Sequence, residues 1–171
     1  MLTLPTIIDR PEQTYAYVTY TVRMDQMQTP ADQGFPKLFG YLAQQDIEPI
    51  AAPFFNYRRI DMENTLDVEA GVPVARAGDD GEGVRFGTLP SGRYVTLEWH
   101  GHYDGLMQTT AMLIGWVQLV GEKFDMREEG DGDHFTCRLE IYETDPSREP
   151  DPEKWVTTLA FKLNDLADPK R

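Results

Sequence analysis

The side chains here with the clearest capacity for chemistry are a glutamate and a tyrosine two positions apart, Glu140 and Tyr142, inside the run RLEIY. On a strand, alternation puts both on one face and Leu139 and Ile141 on the other. A carboxylate among apolar neighbours is costly to desolvate unless a cation partners it, so the pair suits a site that receives positive charge. Taken from the strand alone, a glutamate on a solvated polar face is the plainer reading. The one basic residue within three positions is Arg138, which shares the face of Glu140. Histidines offer less. His100 and His102 have i, i+2 spacing, but no third ligand stands at a recognisable metal-site spacing, and His134 lies elsewhere. Asp131 and Asp133, in EEGDGDH, lack the calcium-loop pattern and read as a charged turn. The sequence carries no Walker loop, no Gly-x-Gly-x-x-Gly and no Gly-x-Ser-x-Gly, so neither a metal nor a cofactor is expected. Cys137 sits inside a strand pattern and reads as a small buried hydrophobe, not a nucleophile.

Composition narrows the partners. With 29 acidic and 16 basic residues the net charge is −13, which repels phosphate backbones and weakly draws cations. Direct nucleic-acid binding is therefore not expected. A single cysteine cannot close an internal disulfide and fits a reducing compartment. The opening MLTLPTIIDR lacks the basic and apolar segments of a signal peptide. The longest apolar stretch, residues 111–120, contains Gln118 and falls far short of a membrane span. A cytoplasmic protein with no membrane partner is expected. At 171 residues the chain fits one domain, 1–171, in two halves of about 1–76 and 84–164 that share a core.

The elements that must position Glu140 are best specified between residues 89 and 121. Pro90 and Gly92 make a turn, and Arg93, Val95, Leu97 and Trp99 then alternate with Tyr94, Thr96, Glu98 and His100 as a half-buried strand. Gly101 ends that strand. Leu106, Thr110, Leu113, Val117 and Val120 recur at helical steps, and Gly121 is a natural stop. Residues 14–24 alternate as a long strand, Pro36 opens a helix of about three turns, and FFNYRRI and LDVEAGVPV read as two more strands. After an acidic link, AGDDGEG, a short strand over 84–89 leads back to Pro90. Strands over 135–142 and 155–163 complete the second half, joined by a surface loop with three prolines, and residues 165–171 are expected to fray. Each half is then strand, helix, strand, strand. That order predicts an α+β architecture: an antiparallel sheet with internal pseudo-symmetry and both helices on one side. Were the sheet surface opposite the helices concave, a ligand would be enclosed there, in the cleft between the halves.

Several segments together resemble the GyrI-like small-molecule-binding proteins, related to the effector-binding domains of the regulators BmrR and Rob. They are PFFNYRRIDM, LDVEAGVPV, LPSGRYV, WHGHYDGL and LEIYETDP, and in this order and spacing the likeness spans almost the whole chain. Where the family shows His-x-Gly-Pro-Tyr at the corner, this chain has Trp99-His100-Gly101-His102-Tyr103. The resemblance implies a stand-alone member with an aromatic-lined pocket between the halves and a carboxylate at its base that receives cationic or aromatic ligands. The glutamate of the family's Glu-x-Tyr pattern falls on Glu140, with Tyr142 beside it. Aromatic candidates for the walls are Phe54, Phe55, Tyr57, Trp99, Trp116, Tyr142 and Trp155, of which about half are expected to be core and nothing more. Aromatic faces each hold a cation by about 0.5–2 kcal/mol.

Two further activities follow from the same resemblance. Some stand-alone proteins of this kind hydrolyse cyclopropane-containing toxins, in which case Glu140 is the general base and Tyr142 or Tyr103 steadies the developing charge. Others act as protein-interaction modules that restrain gyrase, and an acidic surface fits that role. A small-molecule ligand is the expected partner, ahead of hydrolysis and of a protein partner.

Overall fold

The computed structural model describes residues 1–165; the expected fraying of residues 166–171 lies outside the described residues. Ten strands form one curled antiparallel sheet, a half-barrel, with two helices on it. The strands are β1 (Thr6–Arg10), β2 (Gln13–Val22), β3 (Phe54–Ile60), β4 (Leu66–Pro73), β5 (Arg85–Leu89), β6 (Gly92–His100), β7 (Met126–Glu129), β8 (Gly132–Phe135), β9 (Arg138–Tyr142) and β10 (Val156–Lys162). The helices are α1 (Phe35–Gln44) and α2 (Leu106–Leu119). Spatial order is β1-β6-β10-β9-β3-β4-β2-β5, with the β7–β8 hairpin attached to β3 through β8.

That order contains the repeat. In the first half the first strand, β2, pairs with the third, β4, which pairs with the second, β3. In the second half β6 pairs with β10, and β10 with β9, in the same way. The two second strands, β3 and β9, then pair antiparallel and fuse the halves into a continuous sheet.

Register shows which face each residue takes. One row of directly opposed residues runs across six strands: Val18, Ala70, Phe55, Glu140, Leu159, Leu97. Opposed residues share a face. Val18 belongs to the cluster that α1 covers with Leu38 and Leu42, while Leu159 and Leu97 belong to the cluster that α2 covers with Leu113 and Val117. Glu140 therefore lies on the helix-bearing face, in the gap between the two helix-covered patches, and not on the opposite surface that concavity alone suggested. The far face holds its own core of Tyr15, Phe54, Leu89, Tyr94, Cys137, Leu139, Ile141 and Ala160.

Four local details depart from the sequence expectations. β1 is an edge strand that the strand–helix–strand–strand order does not include; its residues are mostly exposed and write no apolar alternation. The charged segment leading to Phe135 is a β-hairpin, of which β7 is mostly exposed and β8 half-buried up to the buried Phe135. The single strand expected over 135–142 is broken at Thr136 and Cys137, opposite a register irregularity in β3 between Tyr57 and Arg59. Asn56 bridges the break: its side-chain oxygen accepts the Arg138 backbone N–H at 3.0 Å. In α2 the buried stripe runs through Thr109 and not Thr110, and Val120 is exposed beyond the last turn.

Candidate functional site

Arg138, Glu140 and Tyr142 point from β9 toward the helix side because Leu139 and Ile141 are claimed by the far-face core. Glu140 Oε1 accepts hydrogen bonds from two phenols, Tyr57 at 3.3 Å and Tyr142 at closer range. Among the described residues Oε2 receives none. Burial pushes the Glu140 carboxyl above its usual range, opposed in part by those phenols and by nearby Arg138. Burial, and then the glutamate itself, drives Tyr57 and Tyr142 well upward, so both remain neutral donors. Tyr103 shifts upward for the same reasons in the same order.

Rings from four elements close around this carboxylate. Phe55 of β3 meets Tyr142 edge-on at 5.5 Å, and Phe35, the first residue of α1, stacks on Phe55 at 5.2 Å and meets Tyr142 at 6.3 Å. From the other side Tyr103, in the one-turn 3-10 helix before α2, meets Tyr142 edge-on at 5.5 Å and packs on Trp155 at 4.7 Å. His102 stacks on the same indole at 5.6 Å. Trp155 is anchored by its N–H to the Glu149 carbonyl at 2.8 Å, and its own carbonyl accepts the Gly101 N–H at 2.9 Å. The first residue of α1 and the turn before α2 thus bring one ring each.

Of the residues chosen from sequence, the structure brings together Glu140, Tyr142, Tyr103, Tyr57, Phe55 and Trp155. Three others lie apart. Phe54 packs against Tyr15 on the far face, as adjacency to Phe55 on a strand requires. Trp99 folds over the Gly101–Gly105 corner with its N–H on the His102 carbonyl at 2.9 Å. Trp116 packs into the α2 cluster. Phe35, His102 and Arg138 were missed as site members. Phe35 carries one available signal, an aromatic immediately before the helix-opening Pro36.

Two other acidic groups are already satisfied. Glu69, buried on the far face, accepts hydrogen bonds from Tyr15 at 2.8 Å and Asn56 at 2.9 Å. Glu129, Asp131 and His134 cluster at the β7–β8 hairpin, where His134 bonds Asp131 at 2.7 Å and Arg127 holds Glu129 at 2.8 Å. No helix among the described residues is long and apolar enough to cross a membrane.

A partly buried carboxylate thus lies between two helix-covered patches, walled by rings. Residues 4–163 match the GyrI-like small molecule binding domain, and the chain belongs to that family. A search of curated protein sequences finds no match. Among solved structures, the EcmrR C-terminal domain superposes with a TM-score of 0.70 at 18% identity, covering 95% of this chain and 98% of that one. In the EcmrR–DNA complex the same likeness covers 95% of this chain but 58% of the EcmrR chain, at a TM-score of 0.70 and 19% identity. SAV2435 bound to tetraphenylphosphonium gives a TM-score of 0.58 at 13% identity, covering 95% and 94% of the two chains. A hydrolase from Listeria innocua gives 0.62 at 16% identity, covering 94% and 91%.

Proposed function

We propose that this protein binds flat, lipophilic, cationic or aromatic small molecules, for sequestration or sensing, at the Glu140 site. One observation carries the reading: Glu140 has both phenols on Oε1 and, among the described residues, no donor on Oε2, beneath rings whose faces attract cations. That SAV2435 is similar in fold and was solved with a lipophilic phosphonium cation supports it. Micromolar affinity corresponds to about −8 kcal/mol, within reach of one charge pair and several aromatic faces after binding entropy is subtracted. The test is fluorescence titration of cationic xanthene dyes beside neutral analogues, with Trp155 as a second reporter. Glu140→Gln is expected to weaken cation binding by about 1–3 kcal/mol. Equal affinity for cationic and neutral dyes would remove the carboxylate from the site.

A second reading is favoured by the upward shift of the Glu140 carboxyl, which makes it a better proton acceptor near neutral pH. Glu140 would take a proton from water as the water oxygen bonds to an electrophilic cyclopropane carbon. The ring C–C bond breaks, and the proton passes from Glu140 to the released carbon. Tyr103 or Tyr142 would donate a hydrogen bond to the substrate as charge develops. Product formation from an activated cyclopropane, lost in Glu140→Gln, separates catalysis from binding.

A further inference from the structure

Arg138 is held in an unusual way. Its guanidinium lies 4.7 Å from the ring centres of both Phe135 and Phe161 and 6.0 Å from that of Tyr57. Its Nε is buried with no hydrogen-bond partner. Among the described residues no carboxylate lies within ion-pair distance of it, although Glu140 stands two residues away on the same face of β9. A buried charged donor without an acceptor is expensive, and rings offset part of that cost without supplying an acceptor. Burial also holds Arg138 below the usual arginine range, opposed in part by Tyr57, Glu140 and Asp133.

A second orphan stands on the opposite flank. Thr157 is fully buried and its Oγ1 has no partner, and register places it beside Tyr142 on the helix-bearing face. The rows Arg138–Phe161, Glu140–Leu159 and Tyr142–Thr157 are consecutive on that face. So the two buried side-chain polar atoms left unsatisfied among the described residues flank the glutamate, one on each side.

From this geometry we infer that Arg138 forms an acceptor subsite beside Glu140, and that the preferred ligands carry an acceptor group, a carboxylate above all, as well as a cationic or electrophilic centre. The inference rests on Glu140 being the ligand site. Same-face neighbours on a strand are about 7 Å apart, which sets the scale of separation between the two ligand groups. A simple cation would meet Glu140 but leave the Arg138 Nε without an acceptor and its charge repelling the ligand. A ligand bearing both groups satisfies both side chains.

The probes are a matched pair of rhodamines, one with a free carboxylate and one with that group esterified, titrated against wild type and Arg138→Met. Wild type is expected to prefer the free acid by about 10-fold or more, the size of a charge-assisted hydrogen bond. Arg138→Met is expected to reverse the order, weakening the acid and tightening the ester several-fold as repulsion is removed. Wild type binding the two dyes equally, or favouring the ester, would overturn the inference and leave Arg138 a packing element. So would an unchanged preference in a folded Arg138→Met protein. A measurement without a variant guards against misfolding: the Arg138 Nε–H resonance is followed as sodium benzoate is added. If neither dye binds but benzoate shifts that resonance, the acceptor subsite stands and the cation reading falls. If neither dye binds and the resonance is unmoved, both fall.

Discussion

At the scale of single residues, Glu140 is a group whose ionisation opposes folding. Its carboxyl is raised in the folded protein, with burial as the leading cause. The penalty is absent below the unfolded pKa of about 4.3, grows as pH rises toward the folded pKa, and is constant above it. Glu140→Gln is therefore expected to gain stability relative to wild type between pH 4 and pH 8, read by chemical denaturation of both proteins at each pH. A mutant that loses relative stability over that interval would make Glu140 a structural ion-pair partner. The residue level was also where the sequence was partly opaque. The Glu140–Tyr142 pair was visible because i, i+2 spacing on a strand fixes a shared face. The split of Phe54 from Phe55 was implied by the same rule. Arg138 was visible on the same face by the same rule, but its partners, Phe135, Phe161 and Tyr57, were not, and Phe35 was hidden because its place depends on how the helix lies over the sheet, which is not written locally.

At the scale of elements, the strands with buried faces were legible and the exposed ones were not. β2, β3, β4, β6 and β10 each bury at least one side, and burial writes an alternating or apolar pattern. β1 and β7 are mostly exposed, so their pairing rests on backbone hydrogen bonds that any side chain permits, and β8 buries only Phe135. The corner before α2 shows how tightly one element presents another. A Cβ on Gly105 would come within 2.3 Å of the Trp99 ring, whose position also covers Gly101. Gly105→Ala is expected to cost about 1–3 kcal/mol through overpacking and to lower dye affinity, since the same corner carries Tyr103. Denaturant unfolding and dye titration of the variant check this. A stability change under about 0.5 kcal/mol would show that the indole moves aside freely.

At the scale of the whole molecule, the continuous sheet joins the two halves at the β3–β9 pairing, and the site straddles that seam with rings from both. Occupation should therefore stabilise both halves at once. Ligand at a hundred times its Kd adds about 2.7 kcal/mol, which for a chain of this length raises Tm by about 5–10 °C. Scanning calorimetry with saturating cationic dye tests it, and two separate transitions, only one of them shifted, would contradict a shared unfolding unit. The strand at the seam has a consequence for descent as well as for binding. Leu139 and Ile141 hold one core, while positions 138, 140 and 142 meet whatever enters from the opposite side. Two obligations are thus interleaved on alternate letters of five residues, and drift in one leaves the other untouched. A strand built this way can change what it presents on one face by rewriting every second position, while the packing behind it keeps its shape.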